Sequence, residues 1–228
     1  MARFRRMDVL TQIGSSGLVP IFYSASAEVA FRVAAACADG GSRILEFTNR
    51  GDRAHLVFQQ LIERCEKERP ELILGVGTIC DPHTAALYMN LGANFIVTPS
   101  FDAEVVRMAN RRKVPCVPGC GSATEIASAE ELGCEIVKLF PADALGGVKF
   151  LNAILGPAPW TSLMPAGGVD YTEESVRGWI ESGAACIGMG QKLIAPDAVK
   201  AGNYEDITTR AKAVLGWIRA ARAKEKRS

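Results

Sequence analysis

Short apolar runs followed by helical patterns recur eight times along this chain, and no other feature narrows its fold so far. The runs fall at residues 18–23, 43–47, 72–75, 94–97, 114–117, 135–139, 162–164 and 185–187. Helical patterns occupy 27–38, 52–68, 82–91, 103–111, 123–132, 148–155 and 173–182, with a leading helix at 7–16 and a helical region at the C-terminus. Near-continuous apolar strands alternating with helices read as a parallel sheet, because each crossover lays a helix over the sheet face. Eight such units predict an α/β fold of the (β/α)8 TIM barrel type with an extra N-terminal helix. A doubly wound sheet is the competing architecture. Against it, no G-x-G-x-x-G follows the first run, and Gly75-Val76-Gly77, set after the third, lacks the third glycine. With no linker or low-complexity segment, residues 1–228 read as a single domain.

Composition excludes several kinds of partner. Twenty-six basic and twenty-five acidic residues leave a net charge of +1, which gives no electrostatic case for nucleic acid or a membrane surface. The basic ends, Arg3-Phe4-Arg5-Arg6 and residues 219–227, read as solvated faces. No stretch approaches the roughly 20 apolar residues of a membrane span, and no signal-peptide pattern opens the chain, so a cytoplasmic protein is expected. Seven cysteines, odd in number and irregularly spaced, read as reduced core residues rather than disulfides. The two histidines, His55 and His83, have no neighbours at metal-ligand spacing, so neither a metal nor another cofactor is expected.

Within this framework one residue demands an explanation. Lys138 lies inside the apolar run Ile136-Val137-Lys138-Leu139-Phe140, which stops at Pro141. Lysine is almost never fully buried without a partner. Burial disfavours the ammonium and so yields a nucleophilic amine near neutral pH, which is what Schiff-base chemistry requires. The plainer alternative is a lysine snorkelling from a strand end.

A barrel gathers the C-terminal ends of its strands on one face, and several reactive side chains fall there. Glu46 closes the second strand, with Thr48 and Arg50 beyond it; Thr78 follows the third, Thr98-Pro99 the fourth, and Lys138 ends the sixth. Singly, Glu46 and Arg50 could be a surface ion pair and Thr78 a turn residue. Their shared strand end is what joins them into one site. Gly167-Gly168 after the seventh strand and Gly188-Met189-Gly190 after the eighth would let backbone N–H groups approach an anion, although such glycines also simply make turns. Ser122-Ala123-Thr124-Glu125 has the spacing of a helix capping box, and capping explains it better than chemistry.

With these residues in view, the sequence resembles the 2-keto-3-deoxy-6-phosphogluconate (KDPG) and 4-hydroxy-2-oxoglutarate aldolases from about Val9 to Tyr204. The segments that carry the likeness are Leu45-Glu46-Phe47-Thr48-Asn49-Arg50, Gly75-Val76-Gly77-Thr78, Pro118-Gly119, Val137-Lys138-Leu139-Phe140-Pro141-Ala142 and Pro165-Ala166-Gly167-Gly168-Val169. The resemblance implies a homotrimeric class I aldolase of carbohydrate metabolism, of the Entner–Doudoroff type, in which Lys138 forms an imine with pyruvate. It further implies Glu46 as proton shuttle and Arg50 as the grip on the pyruvate carboxylate. Thr78, Pro99 and Phe140 would line the pyruvate pocket, and Gly167 and Gly168, with Gly190, would contact substrate phosphate. Two positions depart from the family pattern. Gln191 stands where a serine often donates to the phosphate, and the fourth-strand loop reads Thr98-Pro99-Ser100. Both bear on the substrate tail rather than on the imine.

The borrowed roles make chemical sense. Cleaving a carbon–carbon bond beside a ketone needs an electron sink, and a protonated imine is one. An apolar wall and the charge of Arg50 would lower the pKa of Lys138. A carboxylate at Glu46 can serve as acid and base in turn, and the planar fork of Arg50 matches a carboxylate. Other readings stay open on the residues alone: a phosphosugar isomerase or epimerase on the same barrel, an aldolase for another 2-keto acid, and a non-catalytic trimeric scaffold.

Overall fold

Every strand pairing among the described residues is parallel, as buried strands joined by helical crossovers require. The structure is a computed structural model that describes residues 2–225, so Lys226 and Arg227 of the basic C-terminal run lie outside the described residues. It begins with α1 (Arg6–Ser16), followed by β1 (Leu18–Phe22), α2 (Ala27–Asp39), β2 (Ile44–Thr48), α3 (Ala54–Glu68), β3 (Ile73–Gly77) and α4 (Pro82–Asn90). Next come β4 (Ile96–Val97), α5 (Ala103–Arg111), β5 (Cys116–Val117), β6 (Gly119–Cys120), α6 (Ala123–Glu131), β7 (Val137–Leu139) and α7 (Val148–Leu155). The remainder is β8 (Leu163–Pro165), α8 (Glu173–Glu181), β9 (Ile187–Met189), α9 (Pro196–Lys200) and α10 (Tyr204–Glu225).

Six strands form one sheet in the order β5-β4-β3-β2-β1-β9, and three form a second in the order β6-β7-β8. The fifth expected strand, 114–117, is shortened to β5, and an unexpected strand, β6, follows it in the second sheet. They flank Pro118, which has no N–H to give a ladder, while its carbonyl still accepts from Lys138 N at 2.9 Å. The two sheets also meet at their other edges, through the parallel bridge Ala166–Gly188 and the bond from Ala185 N to Leu163 O at 2.9 Å.

Two expected boundaries need correction. β3 runs on past Gly75 to Gly77, and β9 takes in Gly188 and Met189. The reason for the first is steric: a Cβ on Gly75 would stand 2.4 Å from the Phe95 ring, and one on Gly77 would stand 1.8 Å from Glu46 Oε1. These glycines are strand residues whose side-chain space is filled from the neighbouring strands.

The alternation of strand side chains sorts them into two cores. Leu45, Phe47, Leu74 and Val76 face outward into the large layer beneath the helices. Ile44, Ile73, Phe95, Val117, Ile136 and Met164 face inward and form a separate cluster. Val9 and Ile13 of α1 are fully buried in that inner cluster, so the leading helix seals the end of the interior opposite the strand C-termini. Arg6 pins this helix, donating to Glu135 from Nε at 2.8 Å and Nη2 at 2.7 Å; it is therefore a tether, not part of a solvated face. Ser122 caps α6 as expected, accepting from Glu125 N at 3.3 Å, and the Glu125 carboxylate accepts from Gly121 N at 2.9 Å. Six of the seven cysteines are buried and all are free thiols; Cys80 is exposed.

Candidate active site

Above the inner cluster, on the same inward line of side chains, the apolar pattern breaks into polar residues. On β2 the inward positions run from Ile44 to Glu46, and Glu46 is paired in register with Gly75. At β7 they run from Ile136, just before the strand, to Lys138, which stands between Gly119 and Met164 in register. A side chain two residues further along a strand points to the same face about 6.6 Å higher. Lys138 and Glu46 therefore sit just above the apolar floor, at the end of the molecule left open by α1.

That end holds a cavity of about 860 Å³. Glu46, Arg50, Thr78, Pro99 and Lys138 line it, as do Phe140, Gly167, Gly168, Gly190 and Gln191. The ten residues assigned catalytic or substrate-binding roles in the sequence thus share one wall system, whereas Thr98, placed at the same end, does not line it. Ser122 is not among them, in keeping with its capping role.

The burial of the two ionisable groups is extreme for their type: Glu46 is 1% exposed and Lys138 7%. Such values remove both a surface ion pair and a snorkelling lysine from consideration. Burial pushes the Glu46 carboxyl above its ordinary range, and the nearby charges of Lys138 and Arg50 offset only part of this effect. Its Oε2 is buried with no hydrogen-bond partner among the described residues. Lys138 Nζ lies 4.7 Å from the centroid of the Phe140 ring, whose face can hold the ammonium without anchoring it to an anion.

Neighbouring loops fix these groups by close backbone contact. A Cβ on Gly119 would fall 2.5 Å from the carbonyl of Pro99, so glycine there lets the Thr98-Pro99 chain lie directly against β6. Thr98 Oγ1 completes that join by accepting from Gly119 N at 3.2 Å. Thr78, just past β3, has φ of +60°, a strained conformation for a β-branched residue and one found most often at functional sites. Tyr88 donates to Asn49 Oδ1 at 2.8 Å, and Asn49 N donates to Gly77 O at 2.8 Å, which holds the turn leading to Arg50.

The glycine pair after β8 has φ of +75° at Gly167 and +98° at Gly168. The loop after β7 braces it, Asp143 N donating to Gly167 O at 3.0 Å. Among the described residues the amides of Gly168, Val169, Gly190 and Gln191 donate no hydrogen bond, so these N–H groups are free for an anion. Sequence reasoning missed several wall residues: Tyr23, Lys192 and Lys200 line the cavity, and so do Val29, Val33 and Val199. Tyr23 ends the first expected strand and Lys192 follows the glycines after the eighth, signals that were there to read, whereas Val29, Val33, Val199 and Lys200 lie on helices that only the folded contacts bring in. Thr48, noted only in passing, is buried and lines the wall two residues beyond Glu46. Period-two alternation along β2 was the signal for it.

Residues 9–210 match the family model described as KDPG and KHG aldolase. The chain belongs to this aldolase family. It is 34% identical over 192 residues to the KHG/KDPG aldolase of Escherichia coli (strain K12), covering 84% of this chain and 87% of that one. It is 33% identical over 208 residues to the 2-dehydro-3-deoxy-phosphogluconate aldolase of Dickeya dadantii (strain 3937), covering 90% and 94%. Among solved structures, the KDPG aldolase of Legionella pneumophila superposes with a TM-score of 0.82 at 28% identity, covering 90% of this chain and 97% of that one. That structure holds pyruvate captured as a covalent carbinolamine. The aldolase is thus an α/β protein with parallel strands, and no helix among its described residues is long and apolar enough to cross a membrane. Nor do those residues contain a group of three or more potential metal ligands.

Proposed function

We propose that Lys138 is the imine-forming residue of this aldolase and Glu46 its proton shuttle, with the cavity above them as the substrate site. The activity is that of the family: a class I aldolase, a lyase, cleaving KDPG or 4-hydroxy-2-oxoglutarate to pyruvate and an aldehyde. One observation carries the residue assignment. A lysine 7% exposed and a glutamate 1% exposed open on the same cavity, and the glutamate is held above its ordinary pKa.

In the proposed sequence Lys138 Nζ attacks the substrate ketone to give a carbinolamine, and loss of water leaves the imine. The C3–C4 electron pair then flows into the imine as the aldehyde departs. Glu46 accepts the proton of the C4 hydroxyl and later delivers a proton to the enamine carbon. A carboxyl with a raised pKa suits both directions, because a shuttle works best when its pKa approaches the working pH. Arg50 offers a planar pair of donors to the pyruvate carboxylate. Thr78, Pro99 and Phe140 enclose the pyruvate end, and the free amides near Gly167, Gly168, Gly190 and Gln191 face the tail. Hydrolysis of the pyruvate imine returns the lysine.

The finer architecture belongs to the same proposal. The split at Pro118 and the bridge at Ala166–Gly188 support closure of the two sheets into one eight-stranded (β/α)8 barrel, with α1 as its extra N-terminal helix. A homotrimer and a cytoplasmic location complete the proposal; sedimentation equilibrium and cell fractionation test them.

Sodium borohydride reduction in the presence of pyruvate tests the lysine. The label is expected on the peptide containing Lys138, and not on Lys149, an exposed residue of α7. Label on Lys149, or full activity in Lys138→Ala, would end the assignment.

A further inference from the structure

The cavity, about 860 Å³, is roomy and lined by apolar as well as polar side chains. It also lies near the upper end of the roughly 300–1,000 Å³ typical of sites for drug-sized ligands.

The apolar lining has a definite place. Glu46 and Thr48 of β2, Lys138 of β7, and Arg50 and Thr78 in the loops after β2 and β3 supply polar groups, while α2, α9 and the segment between β9 and α9 add apolar ones. Val29 and Val33 stand four residues apart on one face of α2; Ile194, Pro196 and Val199 face the same cavity. Val33 and Ile194 are buried beneath this side, Val29 and Val199 are half-buried against the core, and Pro196 is exposed, so apolar surface here is open to a ligand. Of the charged residues on that side, Lys192 is matched by Asp170 at 3.0 Å, and Lys200 stands exposed at the end of α9.

Strand order says how a ligand would reach it. β1 pairs with β9 and leads into α2, so the apolar lobe adjoins the loop at Gly190 and Gln191. A substrate joined to Lys138 on β7 and extending past the glycine loops after β8 and β9 runs its tail into this lobe.

We propose that the lobe binds an apolar aldehyde tail, aromatic or branched alkyl, and gives the chain a second aldol activity. The reaction is the reversible cleavage of 4-aryl- or 4-alkyl-4-hydroxy-2-oxobutanoates to pyruvate and the apolar aldehyde. This inference rests on the Lys138 and Glu46 reading. In the condensing direction the enamine carbon of pyruvate bonds to the aldehyde carbon, the carbonyl π electrons move to oxygen, and that oxygen takes the proton held by Glu46. Water then hydrolyses the imine. No electrons enter or leave, so no oxidant or reductant is involved.

The test compares 4-hydroxy-2-oxoglutarate with 4-hydroxy-2-oxo-4-phenylbutanoate on the full chain, reading pyruvate release through lactate dehydrogenase. The parent is expected to cleave the phenyl substrate with a kcat/KM within about tenfold of the other. Val199→Asp places a charge in the lobe and should lower the phenyl-to-oxoglutarate ratio of kcat/KM by about tenfold or more, the scale on which apolar pockets discriminate. Val29→Asp, on a different element, should do the same, and thermal melts identify a variant that has not folded. Cleavage of 4-hydroxy-2-oxoglutarate alone would overturn the apolar lobe and leave the catalytic reading intact. Cleavage of neither substrate would bring down the catalytic reading and this inference with it. An unchanged ratio in both folded variants would place the tail elsewhere and likewise refute the proposal.

Discussion

Replacing Gly77 with alanine tests how tightly the site is built. A Cβ at this position would stand 1.8 Å from Glu46 Oε1, 2.5 Å from Cδ and 3.0 Å from Cγ, whereas ordinary contacts begin near 3.4 Å. The carboxylate must therefore retreat by 1.6 Å, the difference between 3.4 and 1.8 Å. A surface glutamate would swing into water at little cost. Glu46, at 1% exposure, can retreat only within the site it lines, so part of the strain falls on the strands and part on the placement of its carboxylate. Overpacking of this kind costs about 1–3 kcal/mol. At about 2–4 °C per kcal/mol for a chain of this length, the melting temperature should fall by about 2–12 °C. Displacing a reacting group by about 1 Å can cost about 100-fold in rate. The expected result is a folded Gly77→Ala variant that melts lower and cleaves 4-hydroxy-2-oxoglutarate about 100-fold more slowly. Calorimetry and the pyruvate-release assay on one preparation read both. Parent activity at parent stability would mean that Glu46 is free to move and that its placement is not what the glycine protects.

Glu46→Gln should retain borohydride trapping with pyruvate while slowing cleavage by about 10²–10⁴, the usual worth of a positioned acid or base; near-parent cleavage would make Glu46 structural only. The same variant has a stability signature. Because burial holds the folded pKa of Glu46 above its ordinary 4.5, the stability linked to its neutral form is full below that value and lost as pH rises through the folded value. The advantage of Glu46→Gln in melting temperature should therefore grow from acid toward neutral pH, and a constant difference across pH would contradict the burial argument. Gln191→Ser supplies a hydroxyl beside free amides, so kcat/KM for the phosphorylated aldol should rise roughly tenfold, in line with about 1.5–3 kcal/mol for a hydrogen bond to a charged group. An equal gain on the unphosphorylated aldol, or a loss on the phosphorylated one, would show that Gln191 already serves the tail. Gly178→Ala, within α8 and with open space where its Cβ would lie, should stabilise by about 0.5–1 kcal/mol in thermal melts; a lower melting temperature would contradict that open space.

Local pattern alone determined a large part of this protein. The eightfold alternation specified parallel strands under helices, because burial on both faces forces a continuous apolar run and each crossover a helix. Lys138 was legible because a cation inside such a run is anomalous. Glu46, Arg50 and Thr78 were legible because strand ends converge whatever the detailed register. What pattern could not supply was the identity of neighbours from distant parts of the chain. Gly77 looked like a loop residue, yet it is a strand position whose side-chain space is taken by Glu46, as Phe95 takes that of Gly75. Beyond Pro118 an unexpected strand, β6, joins the second sheet, and α1 buries Val9 and Ile13 in the inner core. The apolar lobe joins Val29 of α2 to Val199 of α9, far apart in sequence, so no periodicity on either helix could disclose it. Periodicity reports which face of an element is buried; only tertiary packing decides what that face meets, and here that choice sets how far Glu46 can move and what tail the cavity can hold.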